Sequence, residues 1–194
     1  MIILASSSPT RKSMLTNAGL SFTAASPAVD EGALLATHPE WTPAEASRNL
    51  AEAKAIDVSR QNPGNIVIGA DQVLAFEGRI YSKPVDLEAA RRQLLQLRGH
   101  THELISTVVC VRDCEPVWTH SSAARLTVRG FSAAFLEEYL EQNGNKLLSS
   151  VGAYQIEGQG SQLFESIDGD YFTILGLPLL PLMQFLRGTG DLRT

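Results

Sequence analysis

The segment Ala5-Ser6-Ser7-Ser8-Pro9-Thr10-Arg11-Lys12 gathers hydroxyls, free backbone amides and two cations at a point where a helix should begin. A helix start carries partial positive charge and unsatisfied N–H groups, so anionic oxygens find donors there before any side chain is counted. Arg11 adds a planar fork of donors suited to phosphate. Serines that merely cap a helix, followed by a solvated basic pair, account for the same residues equally well.

A second group surrounds Gly69-Ala70-Asp71-Gln72, which follows the apolar run Ile66-Val67-Ile68. This places Asp71 at the end of a strand, where open α/β sheets commonly present ligand-binding groups; an isolated aspartate there is more often a turn residue. Ser82-Lys83-Pro84 follows after an expected turn at Glu77-Gly78 that would fold Lys83 back toward Asp71. Val29-Asp30-Glu31 adds carboxylates after the second strand, and Lys54 lies on a helix capped by Thr42. Taken singly, Lys54 and Lys83 read as solvated surface and Glu31 as a loop charge. Taken with Arg11 and Asp71, they make the set that phosphoryl transfer demands: cations for phosphate oxygens, and carboxylates for a divalent metal and an attacking water.

The elements that must position these residues alternate between strand and helix. Ile2 to Ala5 reads as a buried strand, Pro9 as the first turn of a helix that stops at Gly19, and Phe22 to Ala25 as a second strand. Thr42, Pro43 and Glu45 announce a helix to about Arg60, and Ile66 to Ile68 the next strand. Val73 to Phe76 and Arg79 to Tyr81 form a hairpin, and Asp86 caps a helix ending near Gly99. Strands follow at Leu104 to Val111, Pro116 to Ser121 and Arg125 to Val128, with a helix capped by Ser132 that ends at Asn143 and Gly144. A hairpin at Asp168 and Gly169 precedes an apolar helix from Leu179 to Leu186. No repeat or linker divides the chain, so the expectation is one α/β domain over residues 1–194 around a mixed, curved sheet.

Bulk properties narrow the function. With 194 residues, 44% of them hydrophobic, one unit can bury about 70% of its unfolded surface. A formal net charge of −5 argues against a basic surface tracking a nucleic-acid polymer. The first residues lack the basic and apolar regions of an export signal, and the stretch Ile174 to Leu186 is interrupted by Gly176, Pro178, Pro181 and Gln184 and is too short to span a membrane. A cytoplasmic location is therefore expected. Cys110 and Cys114 flank a turn at Arg112-Asp113, and neither they nor His100, His102 and His120 show a zinc spacing. His100 and His102 alternate along a strand, where packing or hydrogen bonding is the favoured reading. Tyr154, Phe164, Tyr171 and Phe172 could stack on a base, although scattered aromatics more often belong to the core.

The chain resembles the Maf family of nucleotide pyrophosphatases over nearly its whole length. The likeness rests on Leu4-Ala5-Ser6-Ser7-Ser8-Pro9-Thr10-Arg11-Lys12, Val29-Asp30-Glu31, Lys54, Gly69-Ala70-Asp71-Gln72, Ser82-Lys83-Pro84, Gly99 with His102, Gly152-Ala153-Tyr154 with Glu157-Gly158, and Gly176-Leu177-Pro178-Leu179. The resemblance implies an elongated α/β fold similar to that of inosine triphosphate pyrophosphatases, and cleavage of a nucleoside triphosphate into monophosphate and pyrophosphate. It implies that Asp71 accepts a proton, that Ser6, Arg11, Lys54 and Lys83 engage phosphate, and that Glu31 with Asp71 lies near a divalent cation, Mg2+ or Mn2+. A homodimer is compatible with it.

The positions resembling the family's substrate-discriminating residues are Thr10, Gln72 and Glu157. Gln72 and Glu157 resemble the branch preferring N7-methylated GTP, whereas the branch acting on dTTP and UTP has threonine after the aspartate and glutamine before the later glycine. Thr10 departs from both the arginine and the tryptophan expected there. Two rival readings stand beside this one: an inosine-triphosphate-type housecleaning enzyme preferring deaminated purines, and a regulator of cell division that senses a nucleotide without turnover. A sensor needs cations but no general base, so Asp71 beside the lysines weighs against the second.

Overall fold

Punctuation and apolar runs in the N-terminal third build a parallel βαβ arrangement. The computed structural model describes residues 1–192. Its first strand, β1 (Ile2–Ala5), is buried throughout. Helix α1 (Pro9–Asn17) starts on proline, with Ser8 Oγ accepting from the Arg11 N–H at 3.4 Å. It ends with Gly19 N–H donating to the Thr16 carbonyl at 2.9 Å and Leu20 N–H to the Leu15 carbonyl at 3.0 Å. Gly19 holds φ +75° there, a left-handed conformation that glycine adopts at least cost.

Strand β2 (Thr23–Ala25) is followed by α2 (Glu31–Thr37) and α3 (Pro43–Ser59). The last opens on a reciprocal cap: Thr42 Oγ1 accepts from the Glu45 N–H, and the Glu45 carboxylate accepts from the Thr42 N–H at 2.8 Å. Helix α2 has no apolar periodicity to announce it, and only Asp30, whose Oδ1 accepts from Ala33 N–H at 2.9 Å, marks its start.

The remaining elements are β3 (Ile66–Phe76), β4 (Arg79–Tyr81), α4 (Leu87–Leu97), β5 (Thr101–Arg112), β6 (Glu115–Val128), α5 (Ala133–Asn143), β7 (Phe164–Asp168), the short turn α6 (Tyr171–Ile174) and α7 (Leu179–Gly188). The strands form one seven-stranded mixed sheet in the order β2-β1-β3-β5-β6-β7, with β4 paired to β3. Strand β1 runs parallel to both neighbours, with Ile3 opposite Thr23 and Ala5 opposite Gly69.

Four local expectations are corrected. Strand β3 does not end before Asp71 but continues to Phe76; Gly69-Ala70 is a place of close helix approach rather than a terminus. Strand β6 is continuous through Ser122-Ala123-Ala124, since these small residues carry no turn chemistry. The turn joining β5 and β6 is Asp113-Cys114, both at positive φ (53° and 66°), one residue later than expected, and both cysteines are free thiols. Asp168-Gly169 is no hairpin: β7 pairs antiparallel with β6, Leu126 opposite Ile167, and Asp170 then caps a helical turn.

The chain divides into two compact units, one comprising residues 1–72, 105–122 and 170 onward, the other residues 73–104 and 123–169. In the first, alternation along β1 sorts its side chains onto two faces. Leu4 packs with Leu15 and Leu20 of the α1 region and with Leu182 and Leu186 of α7, whereas Ile3 and Ala5 pack with Ala51, Ala55 and Val58 of α3. The helices thus cover both faces of the parallel strands. In the second unit the hairpin β3–β4 turns at Glu77-Gly78 (φ 50° and 73°), pairing Phe76 with Arg79. There α4 is tied to α5 by Arg91, which grips the Glu137 carboxylate with both terminal nitrogens.

Candidate active site

Small residues bring α3 onto β3. Ala51, Lys54, Ala55 and Val58 are the buried side of this part of the helix, at helical spacing. A Cβ on Gly69 would overlap the Ala51 carbonyl oxygen and lie 2.8 Å from the Ala55 Cβ, so glycine is what lets the helix backbone touch the strand. Two residues along the same face of β3 comes Asp71, and one turn along α3 from Ala51 comes Lys54. The lysine Nζ donates to Asp71 Oδ1 at 2.5 Å and lies 2.7 Å from Glu31 Oε1, at the start of α2. Only 5% of Lys54 and 4% of Asp71 is exposed. The expectation of Lys54 as surface, when taken alone, is therefore corrected: it is the charged member of a buried helix stripe of small and apolar residues, stabilised by two carboxylates.

Burial raises the Asp71 carboxyl above the ordinary aspartate range, against the opposing pull of Lys54 and Arg11. A proton acceptor gains from that direction of shift. Ser47, from the first turns of α3, points its hydroxyl at the Asp71 carbonyl (3.2 Å), the Ile105 carbonyl (3.3 Å) and the Thr107 hydroxyl (3.0 Å). This holds the strand backbone at Asp71, and no spacing in the sequence announced it.

At the end of β1, Ser6 is buried and its Oγ accepts from the Ser8 N–H at 3.2 Å. Thr10 is the second residue of α1 and partly exposed. Arg11 donates through Nε to the Gly176 carbonyl at 2.8 Å. Burial lowers its pKa, while Asp71 and Glu31 act in the other direction; a guanidinium stays charged regardless. Gln72, adjacent to Asp71 but on the opposite face, donates through Nε2 to the carbonyls of Ile174 at 2.9 Å and Thr173 at 3.0 Å. Ser6, Arg11, Glu31, Lys54, Asp71 and Gln72 all belong to the first unit, and Arg11, Glu31 and Lys54 converge electrostatically on Asp71.

Lys83 and Glu157 belong to the second unit. Lys83 is exposed in the segment between β4 and α4, and Glu157 is exposed in a turn closed by Gly158 N–H donating to the Gln155 carbonyl at 3.1 Å. His102 is buried, with Nε2 2.6 Å from the Tyr154 hydroxyl and Nδ1 without a partner among the described residues. Tyr154 is buried edge-on against Phe164, at 4.8 Å between ring centroids. His102 and Tyr154 are core, as the packing reading expected.

Among the described residues no cluster of three or more His, Cys, Asp and Glu side chains could enclose a metal ion. Glu31 and Asp71, both within reach of the Lys54 ammonium, instead offer oxygen donors from two carboxylates. Such a pair fits a hard cation such as magnesium, which is held by one or two carboxylates together with substrate phosphates and retained waters; it does not fit a closed zinc site.

A mixed α/β fold that sets two cations and two carboxylates about the middle of β3, with a capped helix start after β1, is of the class suited to phosphate-bearing ligands. The chain belongs to the Maf-like protein family, whose model matches residues 1–189. It is 54% identical over 188 residues to a 7-methyl-GTP pyrophosphatase of Brucella abortus, covering 96% of this chain and 94% of that protein. It is 53% identical to a nucleoside triphosphate pyrophosphatase of Paramagnetospirillum magneticum, covering 98% and 99%. Among solved structures, a nucleoside-triphosphatase / dITP/XTP pyrophosphatase from Mycobacterium abscessus aligns over 98% of this chain and 95% of its own, with 16% identity and a TM-score of 0.43.

Proposed function

We propose that this protein is a nucleoside triphosphate pyrophosphatase that cleaves the α–β phosphoanhydride bond, releasing a nucleoside monophosphate and pyrophosphate, with N7-methyl-GTP as a preferred substrate. The observation that carries the chemistry is the buried Lys54 ammonium bridging Asp71 at 2.5 Å and Glu31 at 2.7 Å. Relatives named as 7-methyl-GTP and nucleoside triphosphate pyrophosphatases, at 54% and 53% identity, support the substrate class.

In this reading water attacks the α-phosphorus as the Asp71 carboxylate takes its proton, and the bond from that phosphorus to the bridging oxygen breaks, with pyrophosphate leaving. Charge on the departing oxygens is met by Arg11, Lys54 and Lys83, with the Ser6 hydroxyl and the Thr10 N–H at the start of α1 donating to phosphate oxygens. Glu31 and Asp71 would hold a divalent cation, Mg2+ or Mn2+, which would supply charge neutralisation for the triphosphate. Glu157 is the base-reading acceptor: an ionised carboxylate takes two hydrogen bonds from guanine N1 and N2, whereas thymine and uracil offer one ring N–H flanked by repelling carbonyls. Methylation at N7 adds positive charge to the ring and favours the same partner. Thr10 and Gln72 belong to the same discrimination, and the setting is cytoplasmic removal of modified nucleotides from the pool.

Purified protein with magnesium and a panel of N7-methyl-GTP, GTP, ITP, dTTP and UTP tests the proposal, with products read by phosphorus NMR. Pyrophosphate, fastest from N7-methyl-GTP, is expected. Orthophosphate as the product would put the cut at another bond, binding without turnover would leave a sensor, and a preference for ITP would move the chain to the deaminated-purine class.

A further inference from the structure

The stretch from Asp170 to Gly176 is fastened by polar ties to parts of the chain far from it in sequence. The Thr173 carbonyl accepts from Ser106 Oγ at 2.8 Å and from Gln72 Nε2 at 3.0 Å, and the Ile174 carbonyl from Gln72 Nε2 at 2.9 Å. The Thr173 hydroxyl lies 2.8 Å from Ser122 Oγ, and Asp170 Oδ2 accepts from the Thr173 N–H at 2.8 Å. Ser106 and Thr173 are buried, so these bonds are shielded from competing water.

Gly176 ends the stretch at φ +94°, a conformation that favours glycine. A Cβ there would lie 3.4 Å from Arg11 Nη2 and 3.6 Å from Gln72 Cδ, so the residue is wedged between the guanidinium and the amide. Its carbonyl takes the Arg11 Nε–H at 2.8 Å. A guanidinium has five N–H donors in one plane. Tying Nε to a fixed carbonyl sets that plane while using neither Nη group.

We infer that Asp170–Gly176 is a bracket that orients Arg11 toward the phosphates, and that Gln72, Ser106, Thr173 and Gly176 are positioning residues for that arginine. This rests on the reading of Arg11 as a phosphate-binding group. It gives Gln72 a task beside its part in base discrimination: its Nε2 group is tied to the Thr173 and Ile174 carbonyls and to Ser106 Oγ, and its effect on phosphate binding passes through Arg11.

Inorganic tripolyphosphate, which has no base, separates the two roles. Its binding is measured by calorimetry in magnesium buffer for the wild type, Gln72→Met, Ser106→Ala and Arg11→Ala, and for each bracket variant combined with Arg11→Ala, with thermal melts to verify folding. Gln72→Met and Ser106→Ala are each expected to weaken binding about five- to tenfold while Arg11 is present, and less than about twofold once it is gone, since coupled residues do not add. Equal losses in both backgrounds, or unchanged tripolyphosphate affinity with an altered ranking of bases, would overturn the bracket. Ser106→Ala keeps the test decisive if Gln72→Met does not fold. A wild type that releases pyrophosphate normally but in which Arg11→Ala leaves tripolyphosphate binding intact would remove the phosphate role of Arg11 and the bracket with it, leaving the pyrophosphatase reading standing; a wild type without pyrophosphate release would remove that reading instead.

Discussion

Lys54 and Asp71 meet at 2.5 Å from two different elements, both nearly excluded from solvent. Removing a charge from water is costly, and a buried pair recovers that cost only with good geometry and further partners; here the ammonium has a second carboxylate, Glu31, at 2.7 Å. The arrangement holds a carboxylate whose affinity for protons is raised by burial beside a cation that a triphosphate also attracts.

Asp71→Asn keeps the shape of that side chain and removes its capacity to accept a proton. Turnover should fall by about 10² to 10⁴, with nucleotide affinity changed by less than about tenfold. Steady-state rates paired with calorimetric binding check both halves; retention of more than about a tenth of kcat would show that another group is the base.

Gly69→Ala should destabilise the protein by about 1–3 kcal/mol, because the added methyl meets helix backbone rather than a side chain that can rotate away. It should also lower kcat, since α3 can relieve the overlap only by carrying Lys54 away from Asp71. Urea denaturation and rates on the same preparation test this, and an alanine variant of wild-type stability would contradict the close approach.

His102 titrates against the fold. Burial pushes its pKa down from 6.5 to about 4, so below pH 6.5 the unfolded chain takes up a proton that the native ring refuses. The associated stability is complete above the unfolded value and is lost as the pH falls through that window to about 4, on the order of 3 kcal/mol in all. Denaturant midpoints at pH 7 and pH 4.5, compared between wild type and His102→Gln, should show a smaller acid loss in the variant. Parallel curves would mean that the ring is already charged in the native state.

Glu157→Gln should flatten the preference for N7-methyl-GTP and GTP over dTTP and UTP, because an amide donates as well as accepts. The kcat/KM values for the four substrates in both proteins decide it. An unchanged ranking would leave Glu157 as a solvated turn charge.

Local chemistry made much of this architecture legible. Ser8, Thr42, Asp86 and Ser132 all cap the helices that their spacing announces, because a cap is a bond between residues three apart. Lys54 escaped single-residue reading because its burial depends on Ala51 and Ala55 meeting Gly69, a contact between two elements. The bond from Gln72 to Thr173 spans 101 residues and that from Arg11 to Gly176 spans 165. Nothing in either segment encodes such a partner, so the positioning of Arg11 was out of reach although Gly176 stood among the recognised motifs. Strand β3 was cut short for the same reason, since its continuation depends on neighbours rather than on Gly69 and Ala70 themselves.

The pleat of β3 sends two consecutive residues to opposite sides of a sheet, Asp71 to Lys54 and Gln72 to the Thr173 and Ile174 carbonyls. A single codon inserted between Ile66 and Asp71 would turn both over, setting the carboxylate in the place of Gln72 against two carbonyl oxygens and leaving Ala70 opposite the ammonium. The loop from Gln61 to Asn65, outside the strand, can absorb such a change in length without altering which way either side chain faces. Among descendants of this gene, insertions and deletions should therefore collect before Ile66 and be absent from the six residues that follow it, whereas substitutions at position 72 remain open to selection without touching position 71.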